Sequence, residues 1–320
     1  HPSNVLIADF NADGRPDMIL STNGFDTSPF PGEQNRLYLS RAEGGWRDAT
    51  ENLPQLNDFT QPSAVGDISG RGIFDIFVSN GFARLDGNPV LPYTLLNSGS
   101  GQFTLSRSNI PAGHDQLLDP LFAHNFTGAT LADLNGDGLP ELIVTAVITA
   151  NGKNRRTTIL WNRAGVFVEN DTTLLPAPEI FPDNRLDARV ECPDVNQDGL
   201  PDLVLVGTQR ALYSGWFVQI FINKGNRQFV DETADRVPPE DASGNAGPYP
   251  AEFQVLDFNE DGAPDFSVEF RPQLNTPGFA GFPRGLPFIW LNDGAGHFST
   301  LKVGDFVAAG SENSVFGGKP

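Results

Sequence analysis

Cysteine occurs once in the 320 residues, so no internal disulfide is available and cysteine usage leaves the redox compartment open. Basic residues are also scarce: 21 Lys and Arg stand against 40 Asp and Glu, for a net charge of -19. Nucleic acid and anionic membranes repel such a chain, which argues against both as partners and points towards cations. No apolar run reaches the ~18 residues of a membrane-spanning helix, and phosphate-binding glycine motifs are missing, so membrane insertion is not expected. No signal peptide precedes His1, so the chain reads as a mature product or an excised domain. What is present, 39% hydrophobic and 10% aromatic residues, is ample for a packed core.

One phrase is written five times. "DFNADGRPD", "DISGRGIFD", "DLNGDGLPE", "DVNQDGLPD" and "DFNEDGAPD" begin at Asp9, Asp67, Asp133, Asp194 and Asp257, a period of about 60 residues that marks a repeat architecture. A short apolar run precedes each phrase ("NVLIAD", "PSAVGD", "GATLAD", "ARVECPD", "EFQVLD") and another follows it ("MILST", "IFVSN", "LIVTA", "LVLVG", "FSVEF"). Further on come "RLYLS", "YTLLNS", "TILWNR", "QIFIN" and "FIWLND", then a glycine-rich turn and an aromatic at Trp46, Phe103, Phe167, Phe229 and Phe298. Four short strands per repeat, here A to D, with hardly any helical periodicity, predict an all-β fold: a β-propeller of four-stranded blades. Five blades fit, at about 1–58, 59–124, 125–185, 186–248 and 249–301, in a single domain with a tail at 302–320.

Within the phrase, oxygen-bearing side chains stand at positions 1, 3, 5 and 9. These are Asp9, Asn11, Asp13 and Asp17; Asp133, Asn135, Asp137 and Glu141; Asp194, Asn196, Asp198 and Asp202; and Asp257, Asn259, Asp261 and Asp265. Position 7, which is Arg15, Leu139, Leu200 or Ala263, offers a backbone carbonyl. Oxygen ligands without His or Cys select a hard cation, and a flexible loop suits calcium better than magnesium. Glycine at position 6 permits the positive φ of a tight wrap. An EF-hand would need a glutamate at loop position 12 and flanking helices, whereas position 12 here is Leu20, Val78, Val144, Leu205 or Val268, which rejects it. The second loop carries Ser69 and Arg71 at positions 3 and 5; a guanidinium between Asp67 and Asp75 would itself supply positive charge. Four calcium ions are expected, and none at the Asp67 loop.

These loops and strands resemble the FG-GAP or VCBS repeat, the calcium-loop blade of integrin α-subunit propellers, certain fungal lectins and many secreted bacterial proteins. The resemblance implies structural calcium tying strand A to strand B in the four loops named above. It does not carry an activity, because such propellers host adhesion, sugar binding and accessory roles beside enzymes. The well-known members close a ring of seven blades, so five blades imply either a smaller ring or part of a larger one.

Other residues read as packing or as a binding face. Cys192 fills a slot held elsewhere by Ile7, Val65, Leu131 and Val255, as a buried inert thiol would. Trp46, Trp161 and Trp290 fall in shared strand slots and read as core. Trp216 and Tyr213 lie outside the shared pattern, as an exposed pair on which a sugar ring could stack. His114 and His124, with Asp115 and Asp119 nearby, lack a partnered nucleophile and read as solvated loop residues. In an up-and-down blade the calcium loops share one end with the short C–D turns, and the long B–C and D–A connections share the other. That second face is the expected ligand site, with Trp216 and Tyr213 for stacking and Arg84, Arg271 and Arg284 for polar contacts. No catalytic residue is assigned. The expectation is a secreted, cell-surface or periplasmic calcium-binding propeller that binds a glycan or a protein surface. The alternatives are a lyase-like polysaccharide-active enzyme and a structural or accessory domain.

Overall fold

The computed structural model describes residues 2–25, 27, 30–80, 92–110, 126–145, 156–181, 186–209, 213–273 and 281–305. They form five antiparallel sheets set as the blades of a propeller ring, each with four strands in the order A-B-C-D, and the fourth with Ser243–Gly244 as an added fifth strand beside its strand C. Blade 1 comprises Pro2–Ala8, Asp17–Thr22, Arg36–Ser40 and Trp46–Asp48. Blade 2 comprises Thr60–Gly66, Asp75–Asn80, Tyr93–Asn97 and Phe103–Ser106. Blade 3 comprises Gly128–Ala132, Glu141–Thr145, Thr158–Arg163 and Val166–Leu174. Blade 4 comprises Leu186–Glu191, Leu203–Gln209, Ser214–Asn223 and Phe229–Asp231. Blade 5 comprises Tyr249–Leu256, Asp265–Arg271, Pro287–Asn292 and Phe298–Lys302. The four-residue helix Thr233–Arg236 and two short 3-10 turns are the helical elements among the described residues.

Strands B and C of blades 2, 3 and 4 lie between neighbouring blades, so both their faces are covered. Strand B of blade 3 and strand C of blade 4 are buried at every residue, which is why their sequences run apolar without the alternation of a half-exposed strand. The core is correspondingly divided among the junctions. One cluster joins Leu6, Ile19 and Leu37 of blade 1 to Ile76, Tyr93 and Phe103 of blade 2. Others join blades 2 and 3, 3 and 4, and 4 and 5. Each fully buried side chain of this size contributes roughly 1.5–3 kcal/mol, so every such junction is a strong one.

Two tryptophans sit where expected: Trp161 is 1% and Trp290 0% exposed. Trp46 does not. It is 49% exposed, because the aromatic of strand D packs on the preceding blade's loop, as Phe103 packs edge-on against Phe10 at 5.7 Å, and no described residue takes that place beside blade 1. Cys192 is packed against the core between blades 3 and 4.

Candidate metal centres and ligand face

Each nine-residue phrase links strand A to strand B as a loop closed on its own amides. The position-1 carboxylate caps two N–H groups: Asp9 accepts from Asp13 at 3.1 Å and Gly14 at 2.7 Å, and Asp194 from Asp198 and Gly199 at 3.0 and 2.8 Å. Position 3 accepts from the amide of position 5, as Asn135 does from Asp137 at 2.9 Å. Position 5 accepts from position 7, as Asp261 does from Ala263 at 2.9 Å. Glycine at position 6 has positive φ in all five loops, from 72° at Gly72 to 89° at Gly199 and Gly262. Position 4 is left-handed as well, at Ala12, Gln197 and Glu260 beside Gly70 and Gly136. Two glycines in five copies were the sequence's signal for it.

Position 9 does more than the sequence reading assigned to it. Asp17, Asp75, Glu141, Asp202 and Asp265 are all 0% exposed. One oxygen of Asp202 accepts from the amide of Val195 at 3.0 Å, and the other from Asn223 on strand C at 2.8 Å. Asp17 does the same with Phe10 and Ser40, and Asp265 with Phe258 and Asn292. This carboxylate therefore knots loop, strand B and strand C together. Burial pushes Glu141 up to about 7 and Asp202 up to about 6, helped by the neighbouring loop aspartates.

In the second loop the charge is answered by protein. Arg71 places Nη2 3.0 Å from Asp75 Oδ1 and Nε 2.7 Å from Ser69 Oγ, while its backbone amide caps Asp67 at 2.9 Å. Elsewhere other donors stand in: Asn196 and Asn259 turn their amides onto Asp198 and Asp261 at 2.9 and 2.7 Å, and the Arg15 guanidinium pairs with Asp13. Among the described residues no three acidic, His or Cys side chains converge at metal-binding spacing. The donor chemistry nevertheless fits a calcium ion, because an ionised carboxylate has about four lone-pair sites and the amides take only part of them. Rotation of the Asn side chains would present Oδ1 in place of Nδ2.

The short C–D turns share the end of the calcium-type loops: the Gly101 turn lies against Asn11, and the Gly165 turn against Ser69. On the ligand face the outcome differs from expectation. Trp216 is only 4% exposed and packs edge-on against Phe270 and Trp290 at 5.7 and 6.1 Å. Strand C of blade 4 is simply longer than its counterparts, Ser214–Asn223, and carries Trp216 into the core; it is not a surface stacking residue. Tyr213 is half-buried at φ 43°, and its ring meets Tyr249 with centroids 5.1 Å apart. Tyr249, missed from sequence, stands at the start of strand A opposite Arg271 in the ladder. Arg271 is exposed, with Nε 3.8 Å from Glu269. Arg284 is exposed in the B–C connection of blade 5, beside Gly304. Arg84, His114, His124, Asp115 and Asp119 lie outside the described residues.

A β-propeller whose strands A and B are joined by aspartate-rich loops is the class that fold and loops define. The profile of the FG-GAP-like repeat matches residues 9–78 and 194–268, each span holding two of the loops. No curated protein matches the sequence. Among solved structures the chain is similar to exotype rhamnogalacturonan lyase YesX, with 16% identity and a TM-score of 0.45 over 93% of this chain and 48% of that one. It is also similar to rhamnogalacturonan lyase YesW, with 14% identity and a TM-score of 0.41 over 97% of this chain and 66% of that one. The chain thus spans about half the length of the first and just under two thirds of the second.

Proposed function

We propose that this protein is an extracellular propeller, stabilised by calcium in four loops, that binds glycans through its long-connection face. The observation that carries the calcium reading is the contrast at position 9. Burial raises Asp75, Glu141 and Asp202 alike, but Asp75 has a guanidinium against it, whereas Glu141 and Asp202 face neighbouring loop aspartates. Such sites call for a cation that the chain does not supply. Asp9, Asn11, Asp13 and Asp17, with their counterparts in the third, fourth and fifth loops, would hold the ions, with the carbonyls of Arg15, Leu139, Leu200 and Ala263. Loops of this kind fill at the calcium concentrations found outside cells, which supports a secreted or cell-surface setting.

Support for the glycan reading comes from Tyr213, Tyr249 and Arg271, an aromatic pair and a guanidinium at the end of the blades opposite the calcium-type loops. Tyrosine rings stack on sugar faces, and Arg donates to hydroxyls or carboxylates. Isothermal calorimetry with calcium, followed by a glycan array and a polysaccharide turnover assay on the loaded protein, tests both parts. The expected result is four calcium ions bound and glycan hits that Tyr249→Ala abolishes. Turnover would replace the binding reading with an enzymatic one, and a silent array would leave a scaffold.

A further inference from the structure

Three links join each blade to the next. An asparagine at the end of strand C, or one residue short of it in blade 3, donates its side-chain amide to the carbonyl of loop position 2 in the preceding blade: Asn97 to Phe10, Asn162 to Ile68, Asn223 to Leu134 and Asn292 to Val195, each at 2.8 Å. The position-2 side chain is itself sealed, with Phe10, Ile68 and Val195 at 0% and Leu134 at 1% exposed. The aromatic of strand D then covers it: Phe103, Phe167 and Phe298 are buried and Phe229 is partly so.

Among the described residues all three links are missing between blade 5 and blade 1. Position 2 of the fifth loop is Phe258, 39% exposed, and the neighbouring Leu256 is 53% exposed. Strand C of blade 1 ends in Ser40, whose buried Oγ has no hydrogen-bond partner. Trp46 on strand D is 49% exposed. Among the described residues no core cluster spans blades 5 and 1.

We propose that the Phe258 face of blade 5 is a docking surface for a further blade of the same repeat type, one that ends strand C in a side-chain carboxamide and opens strand D with an aromatic. The four internal junctions state the chemistry of that occupant: a donor for the Phe258 carbonyl and a ring to cover the Phe258 side chain. Blade 1 is the wrong occupant for one atomic reason. Ser40 ends nearer the backbone than Asn and lacks the amide that makes two hydrogen bonds, to the preceding loop and to its own, as Asn292 does with Val195 and Pro264.

The test gives blade 1 the missing group. In a Ser40→Asn chain, the leading edge should now engage Phe258, within one chain or between chains. Either way Trp46 becomes protected from iodide quenching and the melting temperature rises by about 2 °C or more, and Phe258→Asp reverses both. A folded Ser40→Asn chain with wild-type quenching and melting overturns the proposal. In the wild-type chain, Phe258→Asp should leave the melting temperature unchanged, because no core cluster of the described residues covers the face. A drop of several degrees would mean that the chain already covers this face and would overturn it too. So would a wild-type oligomer that Phe258→Asp dissolves, since its occupant would be a second copy without the carboxamide.

Discussion

Asn292 on the fifth blade donates its side-chain amide to the carbonyl of Val195, 97 residues earlier on the fourth, at 2.8 Å. Its second amide hydrogen goes to Pro264 at 3.2 Å and its backbone N–H to Asp265 at 2.7 Å. One residue, 2% exposed, thereby holds its own loop and its neighbour's.

Replacing Asn292 or Asn223 by Ala leaves two carbonyls unpaired at a buried junction. Each unsatisfied buried acceptor costs about 1–3 kcal/mol, so urea denaturation should show a loss of at least about 2 kcal/mol in either variant. Ser40→Ala occupies the same place in blade 1 but removes a hydroxyl that has no partner. It should be neutral or slightly stabilising, and an equal loss there would refute the distinction between sealed and open junctions.

Much of this was legible in the sequence because it repeats. A period of about 60 residues fixed the blades and strand order, and glycine at position 6 foretold its positive φ. Even the open junction is written in "RLYLS" against "YTLLN", "TILWN", "QIFIN" and "FIWLN", although residue type alone does not say which groups the Asn meets. What failed was burial outside the repeat. Nothing in "ALYSGWF" reveals that strand C of blade 4 starts early enough to bury Trp216, so the partner of Tyr213 was misassigned. Trp46 departs from the pattern for the opposite reason: it holds a shared slot, but no described residue covers that slot beside blade 1.

The calcium-free protein should lose stability as pH rises. Glu141 and Asp202 have their folded values raised, from 4.5 to about 7 and from 3.8 to about 6, so the native state binds more protons than the unfolded chain across this window. Stability is then highest at its acid end and declines until about pH 7, by up to about 3 kcal/mol for each group. Calcium should remove the decline, because its charge answers the ionised carboxylates. Urea midpoints at several values between pH 4.5 and 7.5, after chelation and again with calcium, are the measurement. Parallel curves would show that these carboxylates do not face an ion. Glu141→Gln should remove this group's share of the pH-dependent decline and weaken the response to calcium.

Burial also pushes the Cys192 thiol well above its ordinary value, with Glu191 adding to the effect. Cys192 is only partly buried, but the thiolate is the reactive form, so iodoacetamide at pH 8 should label the native protein far more slowly than the protein in urea. Rapid labelling of the native state would place the sulfur in an accessible channel instead.

Arg71 separates an ion-holding loop from one that holds itself together. Its guanidinium bonds to Asp75, which is 0% exposed, and to Ser69, and Nη2 also reaches the Asn97 carbonyl at 3.2 Å. The Arg71 side chain is 42% exposed, so solvent weakens the pair, and charge-assisted hydrogen bonds set the scale at about 1.5–3 kcal/mol. Arg71→Ala should cost about that much whether or not calcium is present, because Asp67 and Asp75 alone make a poor calcium site. Arg71→Asp should cost more in chelator, since a third carboxylate now crowds the loop. With Ser69→Asn added, the loop gains the oxygen set of the other four, and calcium should restore the loss while calorimetry gains one site. If the double variant stayed unresponsive to calcium, the position pattern would not be sufficient for ion binding, and the four natural loops would need another explanation for their acids.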